Sequence, residues 1–282
     1  MKPFNLVQLI QSELETDQFS QDVTGNLLKK SPEETVQAFV FSKEKGIFSG
    51  ATVLESFEGL FAGEVQFRWE ISEGTELSPG TQIVELTGPR KTLLAIERTL
   101  LNFLGHACGV ASLTHAYVSA VKPHPVQILA TRKTLPGLRT LQLTAVQAGG
   151  GKIHRRSLSD GILIKENHCA LENEVTLLKK AHQVRSPLHG IEIEVQTFES
   201  LNQVLSCDYS PDVIMLDNFS AKDVQTAVAL IRPKLPLCRI EASGGVDLPS
   251  VRALAETGID YISVGKLTHS APVLNLSLDF RL

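Results

Sequence analysis

The sequence predicts an α/β protein, with an N-terminal domain of mixed helices and strands followed by an α/β barrel of about six parallel strands. Three observations predict it. Short β-rich runs recur between residues 126 and 265, and helix-patterned segments lie between them. Strand alternating with helix implies parallel strands joined by right-handed crossovers. Charged or glycine residues close nearly every run. That rim carries chemistry in a barrel, whereas a doubly wound sheet gathers such residues around one switch point.

The first hundred residues mix both periodicities. FNLVQLIQSEL (4–14) spaces its apolar residues as a helix does. VQAFVFSKEKGIFSG (36–50) and GEVQFRWEISEGTEL (63–77) read as strands with glycine-containing turns. LSPGTQIVELTGP (77–89) ends in a turn, where Pro89 fits the start of a helix. The helical pattern that follows, 90–121, is long, with an expected break near Gly105–Gly109 and a handover to the barrel around residue 105. The barrel runs are VQILA (126–130), GILIK (161–165), IEIEV (191–195), DVIML (212–216), CRIEA (238–242) and YISVG (261–265). Between them, 139–150, 171–184, 197–205, 220–231 and 248–258 have helical spacing.

The bulk numbers exclude several classes. Apolar content of 43% and charged content of 21% suit a soluble globular protein. A net charge of −4 argues against a general nucleic-acid binder. The N-terminus has no long apolar core, so no secretory signal is expected, and no stretch has the ~20 apolar residues of a membrane span. Cys108, Cys169, Cys207 and Cys238 are scattered and form no C-x-x-C, which predicts reduced thiols in a cytoplasmic protein and no zinc site.

Against that acidic balance stands one basic interval. No Asp or Glu occurs between Glu97 and Asp160, while Arg98, Lys122, Arg132, Lys133, Arg139, Lys152, Arg155 and Arg156 all do. Several cations on one rim repel one another without an anion, so Arg132, Lys133, His154, Arg155 and Lys165 predict a site for a small polyanion. Glu194 and Asp217 each end a buried run and could hold Mg²⁺ or sugar hydroxyls, or face positive charge developing on a ribose. Glu192 alternates with Glu194, which turns both inward. Ser243-Gly244-Gly245 before a helix start offers backbone N–H groups to a phosphate. No Ser/His/Asp triad, Walker loop or G-x-G-x-x-G is present.

The runs ATRKTLPGLR (130–139), AVQAGGGKIHRRSLSDGILIKENH (145–168), ERTLLNFLGHACGVAS (97–112), IEIEVQTFE, IMLDNFS and IEASGGVDLPSVRALAETGIDYISVGKLTHSAPVLNLSLDF resemble the quinolinate phosphoribosyltransferases, the decarboxylating type II enzymes of NAD biosynthesis. The resemblance runs from about QDVTGNLL (21–28) to the C-terminus. It implies an N-terminal α/β sandwich domain over 1–105, rejoined by the tail 271–282, and a barrel with fewer than eight strands over 106–270. It also implies a homodimer, or an assembly of dimers, with shared active sites. The implied reaction takes quinolinate and phosphoribosyl pyrophosphate (PRPP) to nicotinate mononucleotide, pyrophosphate and CO₂. Mg²⁺ accompanies PRPP, and no tightly bound organic cofactor is implied.

Matched residue by residue, the resemblance assigns quinolinate to Thr131, Arg132, His154, Arg155, Lys165 and His168, with Arg98 reaching the partner subunit's site. It assigns PRPP to Lys133, Glu194, Asp217, Ser243, Gly244, Gly245, Gly265, Lys266 and His269, and catalysis to Lys133, Lys165, Glu194 and Asp217. Three positions depart from the pattern: Ala130 where Asp is common, Ile153 where Asn is common, and Gln196 where an acid is common. The first two drift toward a sister group encoded with molybdate transporters. The alternative is therefore a phosphoribosyltransferase for another pyridine or heteroaromatic acid. Lys165 favours quinolinate. Arg139 is left without a ligand role, at a helix start or an interface.

Overall fold

The computed structural model describes residues 6–27 and 34–281; Leu28, with which the resemblance's QDVTGNLL ends, lies outside them, as do 1–5, 29–33 and Leu282 of the expected N-terminal domain and tail. In chain order the elements are α1 (Leu6–Thr16), β1 (Thr35–Ser42), β2 (Gly46–Ile47), α2 (Ala51–Leu60), β3 (Gln66–Arg68), β4 (Glu76–Leu77), β5 (Gln82–Pro89), α3 (Arg90–Ala120), β6 (Gln127–Ala130), α4 (Arg139–Ala148), β7 (Lys152–Ile153) and β8 (Ile162–Ile164). They continue with α5 (Glu166–Cys169), α6 (Glu174–Val184), β9 (Ile191–Val195), α7 (Phe198–Leu205), β10 (Val213–Asp217), α8 (Ala221–Lys234), β11 (Arg239–Ser243), α9 (Leu248–Ala255), β12 (Tyr261–Ser263), α10 (Lys266–His269) and β13 (Leu276–Arg281).

Contacts divide the chain into two compact units. The first comprises 1–115, 134–150 and 267–282, and the second 116–133 and 151–266. In the first, β13–β1–β5–β3 form an antiparallel sheet, with Gln37 opposite Arg281 and Thr35 opposite Pro89. The C-terminal strand thus pairs with the first strand of the chain. On α3, Leu93, Ile96, Leu100 and Leu104 are fully buried at helical spacing, each contributing about 1.5–3 kcal/mol of burial. Helix α2 carries Leu54 and Phe57 into the same core, although its sequence had suggested no element.

Helix α3 runs unbroken through Gly105 and Gly109, against expectation. These glycines serve a close approach instead. A Cβ on Gly109 would lie 1.8 Å from the Pro272 carbonyl oxygen, and one on Gly105 2.8 Å from that of Leu274. The Leu274 N–H donates to the Gly105 carbonyl at 2.9 Å. Gly109→Ala is expected to cost about 1–3 kcal/mol by overpacking and to lower Tm by several degrees. Gly59→Ala, where a Cβ meets nothing within 4 Å, should leave Tm unchanged or raise it; paired thermal melts check both.

The second unit holds a seven-stranded, all-parallel sheet in the order β7–β6–β12–β11–β10–β9–β8. Strand β12 pairs back onto β6, as in a barrel, while β7 and β8 lie at the two ends of the order, so the barrel is open along one seam. Six of these strands are the predicted runs. The seventh, β7, spans two residues, Lys152–Ile153, outside the predicted runs. It pairs Leu129 with Lys152 and Ala130 with Ile153. The strands' starting ends are tied by acids: Asp260 accepts from Arg232, Arg239 and the Ile240 N–H, each at 2.8 Å, and Asp212 accepts from the Ile191 N–H at 2.7 Å. That rim stabilises the barrel and leaves the opposite one for chemistry.

Candidate active site

Within the second unit, strand alternation decides which side chains meet. On β9, Ile191, Ile193 and Val195 are buried against the outer layer, so Glu192 and Glu194 share the inward face. On β11, Ile240 and Ala242 are buried likewise, and Glu241 falls between them. The strands' carboxyl ends enclose a cavity of about 460 Å³ to which all seven contribute. Thr131, Arg132 and Lys133 follow β6; His154 and Arg155 follow β7; Lys165 follows β8; Glu194 and Gln196 come from β9. Asp217, Ser243 and Ser263 end β10, β11 and β12.

Basic and acidic side chains share the cavity lining. Lys165 Nζ bonds Glu194 Oε2, the carboxylate being almost fully buried. Burial pushes Glu194 up to about 7; the neighbouring Glu166 and Asp217 push the same way, and Lys165 pulls back. Glu166, bonded to Glu194, is held below the usual carboxylate range, so the two acids divide one proton in Glu194's favour. Asp217 Oδ2 accepts from Asn218 Nδ2 at 2.7 Å and Gln196 Nε2 at 3.1 Å. Arg155's charge is opposed by burial and by Arg132. Two atoms of the cavity wall, Arg132 Nε and Ser263 Oγ, are buried without a hydrogen-bond partner.

His154 differs from its expected role of free cation. Its Nε2 lies 2.9 Å from Glu192 Oε2 and 3.4 Å from Glu241 Oε2. Burial opposes charge on the ring, yet the two carboxylates carry it up to about 10. The acid-free stretch is therefore not acid-free in space, because β9 and β11 supply its counter-charges. His168 Nδ1 accepts the Lys165 N–H at 2.9 Å and closes the turn from β8 into α5.

Gly244 and Gly245 take left-handed φ of 89° and 62°. A Cβ on Gly244 would stand 2.8 Å from the Asn218 nitrogen, so glycine is required for the β10 and β11 loops to meet. Gly265 leads from β12 into Lys266, the first residue of α10, and Lys266 lies near Asp247. In the first unit, Arg98 is exposed on α3 with Glu97 at 4.0 Å, His269 Nδ1 and Ser270 Oγ are 2.6 Å apart, and Arg139 opens α4 with Nε donating to Thr134 Oγ1 at 3.1 Å.

The sequence reading missed Glu166, Ser263 and the partnership of His154 with Glu241. Each had a faint signal: a lone acid or hydroxyl inside or directly after an apolar run. The departures at 130 and 153 are register partners on β6 and β7.

Two family models cover most of the chain: the quinolinate phosphoribosyl transferase N-terminal domain over residues 22–108 and its C-terminal domain over 110–279. The chain belongs to the quinolinate phosphoribosyltransferase family. A probable nicotinate-nucleotide pyrophosphorylase (carboxylating) of Bacillus subtilis is 38% identical over 268 residues, covering 94% of this chain and 91% of that protein. The nicotinate-nucleotide pyrophosphorylase (carboxylating) of Mycobacterium leprae is 38% identical over 241 residues, covering 84% of each. The solved nicotinate-nucleotide pyrophosphorylase of Francisella tularensis superposes with a TM-score of 0.88 at 33% identity, covering 100% of this chain and 98% of that one. The family's fold, a parallel barrel preceded by an antiparallel sheet, is the one described above. No helix among the described residues is long and apolar enough to cross a membrane.

Proposed function

We propose that the chain transfers the phosphoribosyl group of PRPP to the nitrogen of quinolinate and releases CO₂, giving nicotinate mononucleotide and pyrophosphate. The observation that carries this reading is the ring of strand ends, which brings Arg132, Arg155, Lys165, Glu194 and Asp217 to the lining of a single cavity. Quinolinate is a planar dicarboxylate, which arginine forks match bidentately. As pyrophosphate leaves C1 of the ribose, that carbon becomes cationic, and Glu194 and Asp217 face the developing charge. The pyridine nitrogen attacks C1 as pyrophosphate leaves; the C2 carboxylate then departs as CO₂, and the bonding pair it leaves on C2 is stabilised by the adjacent ring cation until C2 takes up a proton from solvent. Thr131, His154 and His168 support the quinolinate side; Lys133, Ser243, Gly244, Gly245, Gly265, Lys266 and His269 serve the PRPP side. No protein nucleophile takes part.

Mg²⁺ would accompany PRPP and offset the charge of the departing pyrophosphate. Both amides at Asp217 land on Oδ2, so Oδ1 would be the hard oxygen ligand offered to such an ion, with Glu194 joining it where Lys165 turns to substrate. The working state is a homodimer or an assembly of dimers in which exposed Arg98 reaches the site of the neighbouring copy. Four free cysteines suit a reducing, cytoplasmic setting.

The test is quinolinate-dependent CO₂ release with PRPP and Mg²⁺, with nicotinate mononucleotide identified as product. Absence of product under varied conditions overturns the reading. Nicotinate or another pyridine acid outcompeting quinolinate assigns the chain to the alternative substrate class.

A further inference from the structure

Below the active-site cavity, inside the same barrel, lies a second cavity of about 380 Å³ that reaches the seam between β7 and β8. His154, Arg155 and Leu163 line both cavities and form the wall between them. Glu192 and Glu241 line only the lower one. The Glu241 side chain is 1% exposed, and those of Glu192 and His154 are each 12% exposed. Two acids sunk this deep beneath an anion site are costly unless something cationic compensates them.

The geometry names the compensating group. A single ring atom, His154 Nε2, lies within reach of one oxygen from each acid. The other oxygens, Glu192 Oε1 and Glu241 Oε1, are buried without a hydrogen-bond partner. Burial and the nearby Glu241 push Glu192's pKa up, and His154 and Arg155 pull it back, so a neutral imidazole would take from the two acids their nearest cation. An imidazolium together with Arg155, which also feels Glu192, balances both. With Nε2–H committed to the acids, Nδ1–H is the ring's remaining donor.

We propose that Glu192 and Glu241 are positioning residues that hold His154 as an imidazolium in the wall between the two cavities, so that Nδ1–H presents a fixed cationic donor, beside Arg155, to a dianionic substrate in the upper one. This rests on the dicarboxylate reading given above. It explains why an anion site is underlain by two buried acids, for they keep a titratable ring charged at pH values where a free histidine is neutral. The ionisable groups facing the ring are Glu192 from β9 and Glu241 from β11, with Arg155 adjacent in sequence. At longer range stand Arg132 after β6, Lys165 after β8, Lys152 on β7 and Asp160 before β8.

The experiment has a substrate-free arm and a kinetic arm, both on the full chain. Nitrogen-15 NMR of the His154 ring, assigned by its loss in His154→Asn, should show double protonation from pH 6 to 9. In Glu241→Gln the ring should titrate inside that window. The KM for quinolinate of this variant should then rise about tenfold or more between pH 6 and 8.5, as a charge-assisted bond is lost, with kcat at saturation little changed and the wild-type KM flat. Glu192→Gln should behave alike and serves where Glu241→Gln fails to fold.

A wild-type ring neutral at pH 7 overturns the proposal. So does a variant whose ring stays protonated to pH 9, or whose KM rises equally at every pH, as a purely structural defect would produce. One equivalent of divalent metal, bound by the purified wild type and lost in His154→Asn, overturns it too. A protein that fails to turn over quinolinate yet shows the protonated ring has failed the functional reading and not the ring's charge state.

Discussion

Asp217→Ala is expected to lower kcat by about 10²–10³-fold while quinolinate still binds. Asp217 ends β10 and is fixed before substrate arrives. Asn218 and Gln196 both donate to Oδ2, and the Asn218 N–H donates to the Ser243 carbonyl at 2.8 Å. Asn218 itself sits at a left-handed φ of 60°, braced against Gly244. A carboxylate held this firmly reorganises little as the ribose becomes cationic, which is the condition for it to favour the transition state over the bound substrate. Asp217→Asn keeps the shape and removes the charge, so it should be nearly as inactive. Steady-state kinetics with isothermal titration of quinolinate separates the two effects. Full activity in either variant would remove the acid from the chemistry, and equal loss of quinolinate binding would make it a structural residue.

The basic half of this site was legible because of where cations stand relative to strands. Arg132, Lys133 and Lys165 follow apolar runs directly, and a parallel fold gathers such ends on one rim. What could not be read was the pairing across strands. Nothing local in IEIEV or CRIEA says that Glu192 and Glu241 converge on His154, since that depends on the register joining β9, β10 and β11, with Val213 opposite Glu192 and Met215 opposite Glu241. Strand β7 escaped because two residues carry no periodicity; only its pairing to Leu129 and Ala130 makes it a strand. Gly105 and Gly109 were misread for a related reason. Their partner is backbone at Pro272 and Leu274, far along the chain, and a local propensity argument sees only weakened helix formers. The departures at Ala130 and Ile153 stand 23 residues apart in sequence, and only the pairing of β6 with β7 shows them to be neighbours.

Lys165→Ala is expected to remove two functions at once, and pH separates them. The first is the proposed contact with a substrate carboxylate, a charge-assisted bond of about 1.5–3 kcal/mol, or roughly 10- to 150-fold in affinity. The second is indirect. Glu194 is driven upward by burial and by its neighbours Glu166 and Asp217, and Lys165 is the group that pulls it back to about 7. Without that ammonium the carboxyl rises further. A carboxyl whose pKa rises loses charge at any fixed pH, so at neutral pH Glu194 becomes protonated and no longer faces the ribose as an anion. The acidic limb of the kcat/KM profile should therefore move to higher pH, with part of the lost activity returning above pH 8. Lys165→Arg keeps a cation but replaces a compact ammonium with a planar fork, so it should preserve the position of the acidic limb better than it preserves quinolinate affinity. A Lys165→Ala profile that falls evenly across pH 6 to 9.5 would show that Glu194 does not depend on this lysine. Lys165 would then act on substrate alone.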